Sequence, residues 1–415
     1  MISAAELIDL APVLELLALG AALAVLPLTV VVWKARRDGV RGWPAWQRVL
    51  TVATLFLTLD LVAFGAFTRL TDSGLGCPDW PGCYGETSPW GAHDDIRAAH
   101  EVAPDGPVSP GKAWIEMVHR YLASGVGALI TLLMVMAWRH RRARGGLSPW
   151  WATLTFVWVC VQGAFGALTV TMKLQPLIVT LHLLGAVLGV GLLTAQARVL
   201  DGYRPRLNAH AAQEAVWRAW RTAGLRRLGW VVLALLVVQI ALGAWVSTNY
   251  AVLACMDVPT CQGRWWPEMD MASGFHLWRP LGQNGQGEAI SAAALTAIHM
   301  THRLMALVVV LALCAYAWRL GRWHGPDAGA LGLGDAGVWR REARGVWVLT
   351  LCQVLTGLSN VVLGWPLLAA LAHTLGAALL VWWLVRLLVV PTSVPLVAPA
   401  QAFSAAAHQG LHGTT

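Results

Sequence analysis

Charged residues are scarce in this sequence. Only 13% of its 415 residues are Asp, Glu, Lys or Arg, whereas 57% are hydrophobic. Soluble domains carry about 25% charged residues, so this composition excludes an ordinary soluble globular protein. With so few charges, nine apolar stretches remain long enough to cross a bilayer, which takes about 20 residues. They lie near 12–33, 48–68, 113–138, 150–171, 178–199, 228–247, 291–318, 345–364 and 366–389.

The sequence also lacks an A-x-A-like cleavage site after its first apolar stretch, which argues against a signal peptide and for a transmembrane helix. The net charge of +8 reflects membrane topology. When successive loops are assigned alternately to the two sides of the membrane, 22 of the 30 Lys and Arg residues fall on the same side. The positive-inside rule then predicts an outside amino terminus and a cytoplasmic carboxyl terminus, in a bacterial-type plasma (inner) membrane. Nucleic acid is not an expected partner.

Several landmarks recur with the same order and spacing in two parts of the chain. A Gly-Ala pair precedes a cysteine by 12 residues, a second cysteine follows six residues later, and Gln-x-x-x-Gly begins 20 residues before a histidine. These landmarks are Gly65, Cys77, Cys83, Gln162 and His182 in the first copy, and Gly243, Cys255, Cys261, Gln353 and His373 in the second. Four spans separate equivalent positions, which predicts parallel copies related by an axis along the membrane normal.

The predicted fold class is therefore an all-α polytopic membrane protein with two repeated four-helix bundles and one extra N-terminal transmembrane helix. The extra helix and a basic link occupy 1–47, and the two halves occupy 48–199 and 228–389. We expect a cytoplasmic linker at 200–227 and a disordered cytoplasmic tail at 390–415.

Five of the 13 histidines lie within apolar stretches: His119, His182, His299, His302 and His373. A single histidine there usually makes an interhelical hydrogen bond, but four of these form repeat-related pairs, His119 with His182 and His302 with His373. Imidazole is a common axial ligand of haem iron, and two on facing helices can hold a porphyrin between them. No Cys-x-x-Cys-His occurs, so the haem would not be covalently attached. Zinc or copper is less favoured, because the Gly-rich helices suggest room for a large flat ligand.

Charged residues inside these stretches are costly unless they have a task or a partner. Arg120 and Arg303 directly follow a histidine and are candidate partners for haem propionates. The alternatives are snorkelling and, for Arg120, an ion pair with Glu116 one turn away. Glu116 lies three residues before His119, where the second half has His299. This asymmetry predicts that the first site does chemistry and the second stores or passes electrons.

The cysteine pairs Cys77/Cys83 and Cys255/Cys261 fall in loops on the predicted outer side, where disulfides persist. Their spacing is compatible with a bridge in each loop, either as a structural staple or as a thiol-redox or ligand-transfer device. Cys160, Cys314 and Cys352 lie within helices and are expected to be packing residues.

Together these motifs resemble the haem A synthase family over about 48–389. The resemblance is carried by Arg69-Leu-Thr-Asp-Ser-Gly-Leu-Gly-Cys77-Pro-Asp-Trp-Pro-Gly-Cys83, Glu116-x-x-His119-Arg120, His182, Thr301-His302-Arg303 and His373. It implies oxidation of the C8 methyl of haem O to the formyl of haem A, for cytochrome oxidase assembly. The implied partners are haem O, an electron donor such as a quinol or a redox protein, haem O synthase, and oxidase assembly factors.

By the same resemblance, His119 and His182 would bind the iron of the substrate haem O, and Glu116 would be the catalytic carboxylate. His302 and His373 would bind a haem b cofactor that passes electrons. His299 is a second candidate ligand beside His302, although the arginine that follows His302 favours the latter. Two other functions compete: a di-haem cytochrome that only exchanges electrons with quinone, and a transporter that uses the buried polar residues as a pathway.

Overall fold

A computed structural model of the protein describes residues 11–142, 146–201, 220, 224–323 and 336–389. Within these ranges the elements of secondary structure are helices joined by loops, and nine of the helices are long and apolar enough to cross a membrane. They are α1 (Ala11–Arg37), α2 (Trp43–Leu70), α4 (Pro110–Arg139), α5 (Pro149–Thr171), α6 (Pro176–Asp201), α7 (Gly224–Thr248), α9 (Ala292–Gly321), α10 (Ala336–Val362) and α11 (Leu367–Leu388). Two short α-helices, α3 (His93–Val102) and α8 (Met271–Gly274), and a 3-10 helix (Ala251–Leu253) lie in the loops. The prediction of an all-α chain with nine spans is confirmed.

Most of the helices extend beyond their predicted apolar stretches, because capping groups and polar flanking turns add to the helix. Ser109 accepts a hydrogen bond from the Lys112 N–H at the start of α4, and Ser291 accepts one from the Ala294 N–H at the start of α9. The largest difference is at α10, which begins nine residues before the predicted stretch at 345 because the charged run from Arg340 to Arg344 is helical. Hydropathy detects only the apolar middle of such a helix.

The predicted tail 390–415 and most of the predicted linker 200–227 lie outside the described residues.

Helix contacts follow one pattern in both parts of the chain. Helices α2, α4, α5 and α6 contact one another in a closed order, as do α7, α9, α10 and α11. Between the two sets, α2 contacts α11, α6 contacts α7, and α6 contacts α11. Two bundles related by a two-fold axis would produce these contacts, although the division of the chain into two four-helix units stays a prediction.

The loops 71–109 and 249–291 lie on one side of the helical layer, which we call the disulfide side. There, residues at equivalent positions of the two copies touch. Arg69 Nη2 donates a hydrogen bond to the Ser247 carbonyl at 2.6 Å, and the Tyr250 hydroxyl donates to Asp72 Oδ1 at 2.7 Å. Arg69 and Ser247 each follow the landmark glycine by four residues, and Asp72 and Tyr250 by seven. Contacts between equivalent positions are expected close to a two-fold axis.

The extra helix α1 packs mainly on α4. The two backbones are close where Gly20 meets Ser124 and Gly125, since a Cβ on Gly20 would lie 2.8 Å from the Gly125 nitrogen. Leu16 joins the buried cluster that contains Met117 and the first cysteine pair. Helix α1 therefore covers the side of α4 that faces away from the other helices of the first half.

Candidate active site

The first pair of predicted ligands, His119 on α4 and His182 on α6, lies between helices of the first half. Each imidazole faces a glycine of a neighbouring helix. A Cβ added to Gly65 would lie 2.9 Å from His119 Nε2, and one added to Gly166 would lie 3.6 Å from His182 Cε1. The rings of Phe64 and His119 are nearly parallel, with centroids 6.5 Å apart. The two histidines are close enough for a charge on one to act on the other.

The second pair, His302 on α9 and His373 on α11, has the same surroundings. A Cβ on Gly243 would lie 2.9 Å from His302 Cε1, and one on Gly357 would lie 3.1 Å from His373 Cε1. These two imidazoles are also within electrostatic reach of each other. The structure thus brings together the partners of each predicted pair, with a glycine beside every imidazole.

The pairs differ in the hydrogen-bond partners of the imidazole nitrogens. In the second half, Gln239 Nε2 lies 3.0 Å from His302 Nδ1, and Thr356 Oγ1 lies 3.0 Å from His373 Nδ1. In the first half, the equivalent positions hold Leu61 and Phe165, and His182 Nδ1 is buried without a hydrogen-bond partner among the residues that the structure describes. Sequence reasoning missed this difference, although the non-matching residues were visible once the copies were aligned.

Glu116 is 4% exposed and both of its carboxylate oxygens are engaged. Oε1 is 2.5 Å from Arg120 Nη2, and Oε2 accepts a hydrogen bond from the Cys77 N–H at 2.8 Å. The predicted ion pair within α4 is therefore present. The carboxylate is also tied to the loop that follows α2, which sequence reasoning did not anticipate.

Arg120 and Arg303 both bind carbonyl groups of the cysteine loops. Arg120 Nη1 donates to the Pro81 and Gly82 carbonyls. Arg303 donates to the Cys255, Asp257 and Thr260 carbonyls at 2.7 to 3.0 Å. These contacts were not foreseen, and they assign the two arginines a structural task; pairing with propionates stays a prediction.

His299 occupies the position of Glu116 but has other contacts. It is buried, and its Nε2 accepts a hydrogen bond from Arg303 Nε at 3.1 Å. His302, by contrast, faces Gly243 and lies near His373. The geometry therefore favours His302 over His299 as the partner of His373.

Both predicted disulfides are formed, with Cα–Cα distances of 4.9 Å for Cys77–Cys83 and 4.8 Å for Cys255–Cys261. The two cysteine loops also share an aspartate that lies two residues after the first cysteine and accepts backbone hydrogen bonds. Asp79 accepts hydrogen bonds from the backbone N–H groups of residues 84 and 85, and Asp257 from those of residues 262 and 263. Neither aspartate was recognised from the sequence, although their equal spacing was a usable signal.

Asp257 has one hydrogen bond that Asp79 does not have. The hydroxyl of Thr260 donates to Asp257, whereas the first loop has Gly82 at that position. Together with the Gly263 N–H, this hydroxyl lowers the pKa of the half-buried Asp257 carboxyl to about 2, because both groups stabilise its ionised form.

The residues present fit a haem better than a bare metal ion. Among the described residues, no group of three or more His, Cys, Asp or Glu side chains is placed to hold a metal. A porphyrin supplies four nitrogen ligands itself and takes at most two from the protein, so a pair of imidazoles is sufficient. The four glycines let each imidazole approach a neighbouring helix, since a Cβ at these positions would lie only 2.9 to 3.6 Å from the ring.

Comparison with known proteins agrees with this geometry. The family model COX15-CtaA, described as "Cytochrome oxidase assembly protein", matches residues 48–385. The chain belongs to this family. The match spans the eight helices from α2 to α11 that cross the layer and leaves out α1, so the chain is a multi-pass membrane protein with one helix beyond the family's common part.

Curated relatives have one name in common. A "Heme A synthase" of Shewanella oneidensis is 36% identical over 334 residues, which are 80% of this chain and 93% of that protein. A "Heme A synthase" of Methylobacterium radiotolerans is 28% identical and covers 81% of this chain and 86% of its own length. Another, from Halalkalibacterium halodurans, is 27% identical and covers 76% and 87%.

Proposed function

We propose that this protein is a haem A synthase, a membrane oxidoreductase that converts the C8 methyl of haem O to the formyl of haem A for cytochrome oxidase assembly. The supporting observation is the pair of similar imidazole sites, of which only the first has a carboxylate on the same helix face, one turn away. A protein that only transferred electrons would not need this difference. Family membership and the names of the relatives point the same way.

In this proposal, 48–199 is the substrate half and His119 and His182 hold haem O by its iron. The second half, 228–389, holds a haem b through His302 and His373. A bound haem b would supply one-electron exchange with an external donor. The basic helix ends face the cytoplasm, so the cysteine loops face the outside, with the amino terminus outside and the carboxyl terminus inside.

The protein's own residues orient the substrate and hold charge near its reacting carbon. His119 and His182 would hold the substrate haem by its iron, and Glu116 lies on the same face of α4 as His119, three residues away. Arg120 and the Cys77 N–H hold the Glu116 carboxylate in one direction. A carboxylate in this position stabilises positive charge that develops at the methyl carbon, or holds a water molecule beside it.

Each of two successive hydroxylations breaks one C–H bond and forms one C–O bond at this carbon, with dioxygen as the external oxidant, whose second oxygen atom leaves as water after it takes up two electrons from the donor and two protons. The resulting geminal diol loses water to leave the formyl group. Both oxidations act on the same carbon, so one fixed carboxylate serves both. The cysteine loop, which covers this side of α4, restricts access of bulk water to the site.

The test exchanges the residues that distinguish the halves. Each variant is purified from cells that supply haem O, and its haem is extracted and separated into haem O, the hydroxymethyl intermediate and haem A. We expect Glu116→His to lower haem A output at least about 100-fold, the usual loss for a positioned acid or base, while haem O stays bound. The matched variant His299→Glu should retain most of the output.

Normal haem A formation by Glu116→His would contradict the catalytic assignment. If the wild-type protein itself returned only unmodified haem O, the di-haem cytochrome would be the better description. A colourless purified protein would favour the transporter.

A further inference from the structure

Asp60 places a carboxylate deep within a membrane-spanning helix. It lies ten residues before Leu70, the last residue of α2, which is about 15 Å along the helix axis. Its neighbours in the sequence are Leu59 and Leu61. A carboxylate at this depth is costly in lipid and usually indicates a function or a partner.

The side chain of Asp60 points away from both halves. The buried residues of α2 lie on one side of the helix: Gln47, Leu50, Thr51, Thr54, Leu55, Thr58, Val62 and Thr68. At about 100° per residue, Asp60 lies some 160 to 180° from Thr51, Thr58 and Val62. It is exposed, as is Phe56 one turn away, which is 63% exposed. Asp60 therefore does not belong to the histidine site, which α2 meets at Gly65.

Asp60 has no polar partner within the described ranges, where neither a hydrogen bond nor an ion pair reaches its carboxylate. Charged residues within α4 and α9 differ in this respect. Glu116 and Arg120 bind each other, and Arg303 binds His299 and three carbonyl groups. No other described group offsets the free-energy cost of placing the Asp60 carboxylate within the membrane.

The repeat does not explain Asp60. It lies five residues before Gly65, and the residue five before Gly243 is Val238, which is 49% exposed. The same outward position of α7 is thus apolar, as expected for a surface in contact with lipid. The carboxylate belongs to the first half alone, and the shared architecture does not require it.

We propose that the face of α2 formed by Asp60 and Phe56 binds a transmembrane helix of a different protein, one that carries an arginine or lysine at matching depth. A cationic side chain offsets the charge of Asp60, and the apolar surroundings strengthen their attraction. A second copy is a poorer occupant, because a symmetric contact through this face would bring two Asp60 side chains together. This inference does not depend on the reaction proposed above.

The experiment uses the full-length, haem-loaded protein in phosphatidylcholine vesicles. The probes are two synthetic single-span helices rich in leucine, which differ only in having arginine or leucine at the depth of Asp60. Binding is measured by energy transfer between a dye on the probe and a dye on the protein. We expect the arginine helix to bind about 10-fold more tightly, in line with polar contacts between model transmembrane helices.

Asp60→Leu should remove this preference while the haem spectrum, which reports folding, stays unchanged. Val238→Asp is the matched gain of function and should create a second site for the arginine helix. Equal binding of both probes by the wild-type protein, or a preference that persists in Asp60→Leu, would overturn the proposal. Cross-linking between copies through Phe56→Cys, with no probe present, would assign the face to a second copy and overturn it as well.

Discussion

The two halves hold their histidines in different ways. In the second half, the Nδ1 atoms of His302 and His373 lie beside Gln239 and Thr356, so each ring has a polar group that fixes its orientation before any ligand binds. In the first half, the equivalent residues are apolar, and no described group forms a hydrogen bond with His182 Nδ1. Pre-oriented ligands suit a resident cofactor, whereas ligands with fewer fixed contacts suit a substrate that must enter and leave. The difference therefore agrees with the proposed division between substrate and cofactor.

The largest expected effect comes from removing a ligand. His302→Ala should remove the signal of the proposed haem b, because only one of its two proposed imidazole ligands, His373, would remain. His182→Ala should leave that signal in place and prevent haem O from being retained. The measurement is the absorption spectrum together with the identity of the extracted haem. Loss of the same haem from both variants would remove the distinction between the halves.

A second prediction concerns the polar partner of His302. Gln239→Leu gives the second half the apolar residue that the first half has at this position. It should weaken haem b binding about 10-fold, the lower end of the range for loss of a hydrogen-bond partner of a ligating histidine. It is measured by haem transfer from the purified protein to apomyoglobin. The reciprocal change, Leu61→Gln, should slow the release of haem from the first site. If neither change alters retention, the difference in polar partners does not distinguish cofactor from substrate.

A third prediction compares the arginines that hold the cysteine loops. Arg120→Lys and Arg303→Lys each lose hydrogen bonds to loop carbonyls and should each destabilise the protein by about 1.5–3 kcal/mol, the range for bonds to a charged group. Thermal unfolding measures this effect. Only Arg120→Lys should also lower haem A output, because Arg120 alone holds a carboxylate at the proposed reaction site. Equal loss of activity in both variants would show that loop stability accounts for the effect.

The smallest effect is expected at Asp257. Its pKa is lowered in the folded loop, so the stability it contributes is present above its unfolded value, about 3.9, and is lost as the pH falls towards 2. Hydrogen exchange of the Gly263 amide, corrected for its intrinsic pH dependence, should therefore accelerate as the pH falls through this range. Asp257→Asn should remove the pH dependence. A wild-type profile as flat as that of the variant would contradict the role of the ionised carboxylate.

Several features were predictable from the sequence because they depend on composition and spacing. Nine spans follow from hydropathy, whereas the repeat of two four-helix units, inferred from matched cysteines, glutamines and histidines, stays a prediction. The pairing of the cysteines agrees with their equal separation in both loops. The asymmetry between Glu116 and His299 was also visible, because aligning the copies requires no coordinates.

The contacts of those residues could not be predicted in the same way. Glu116 hydrogen-bonds to Cys77, 39 residues away, and Arg303 to Cys255, 48 residues away. Such pairs depend on how a loop folds back over a helix end, and hydrophobic periodicity carries no information about that. For the same reason, Arg120 and Arg303 were assigned candidate partners on the ligand, whereas the structure places loop carbonyls beside them.

The sequence by itself determined the family, the number of spans and the residue types available for ligation, because these depend on local composition and on the order of motifs. Only the tertiary structure decided which glycine faces each histidine, which imidazoles have polar partners, and that Asp60 faces outward on α2. These features arise from the rotation and packing of whole helices. A helix can turn about its axis with little change in local energy, so its final orientation depends on contacts with helices that are distant in the sequence.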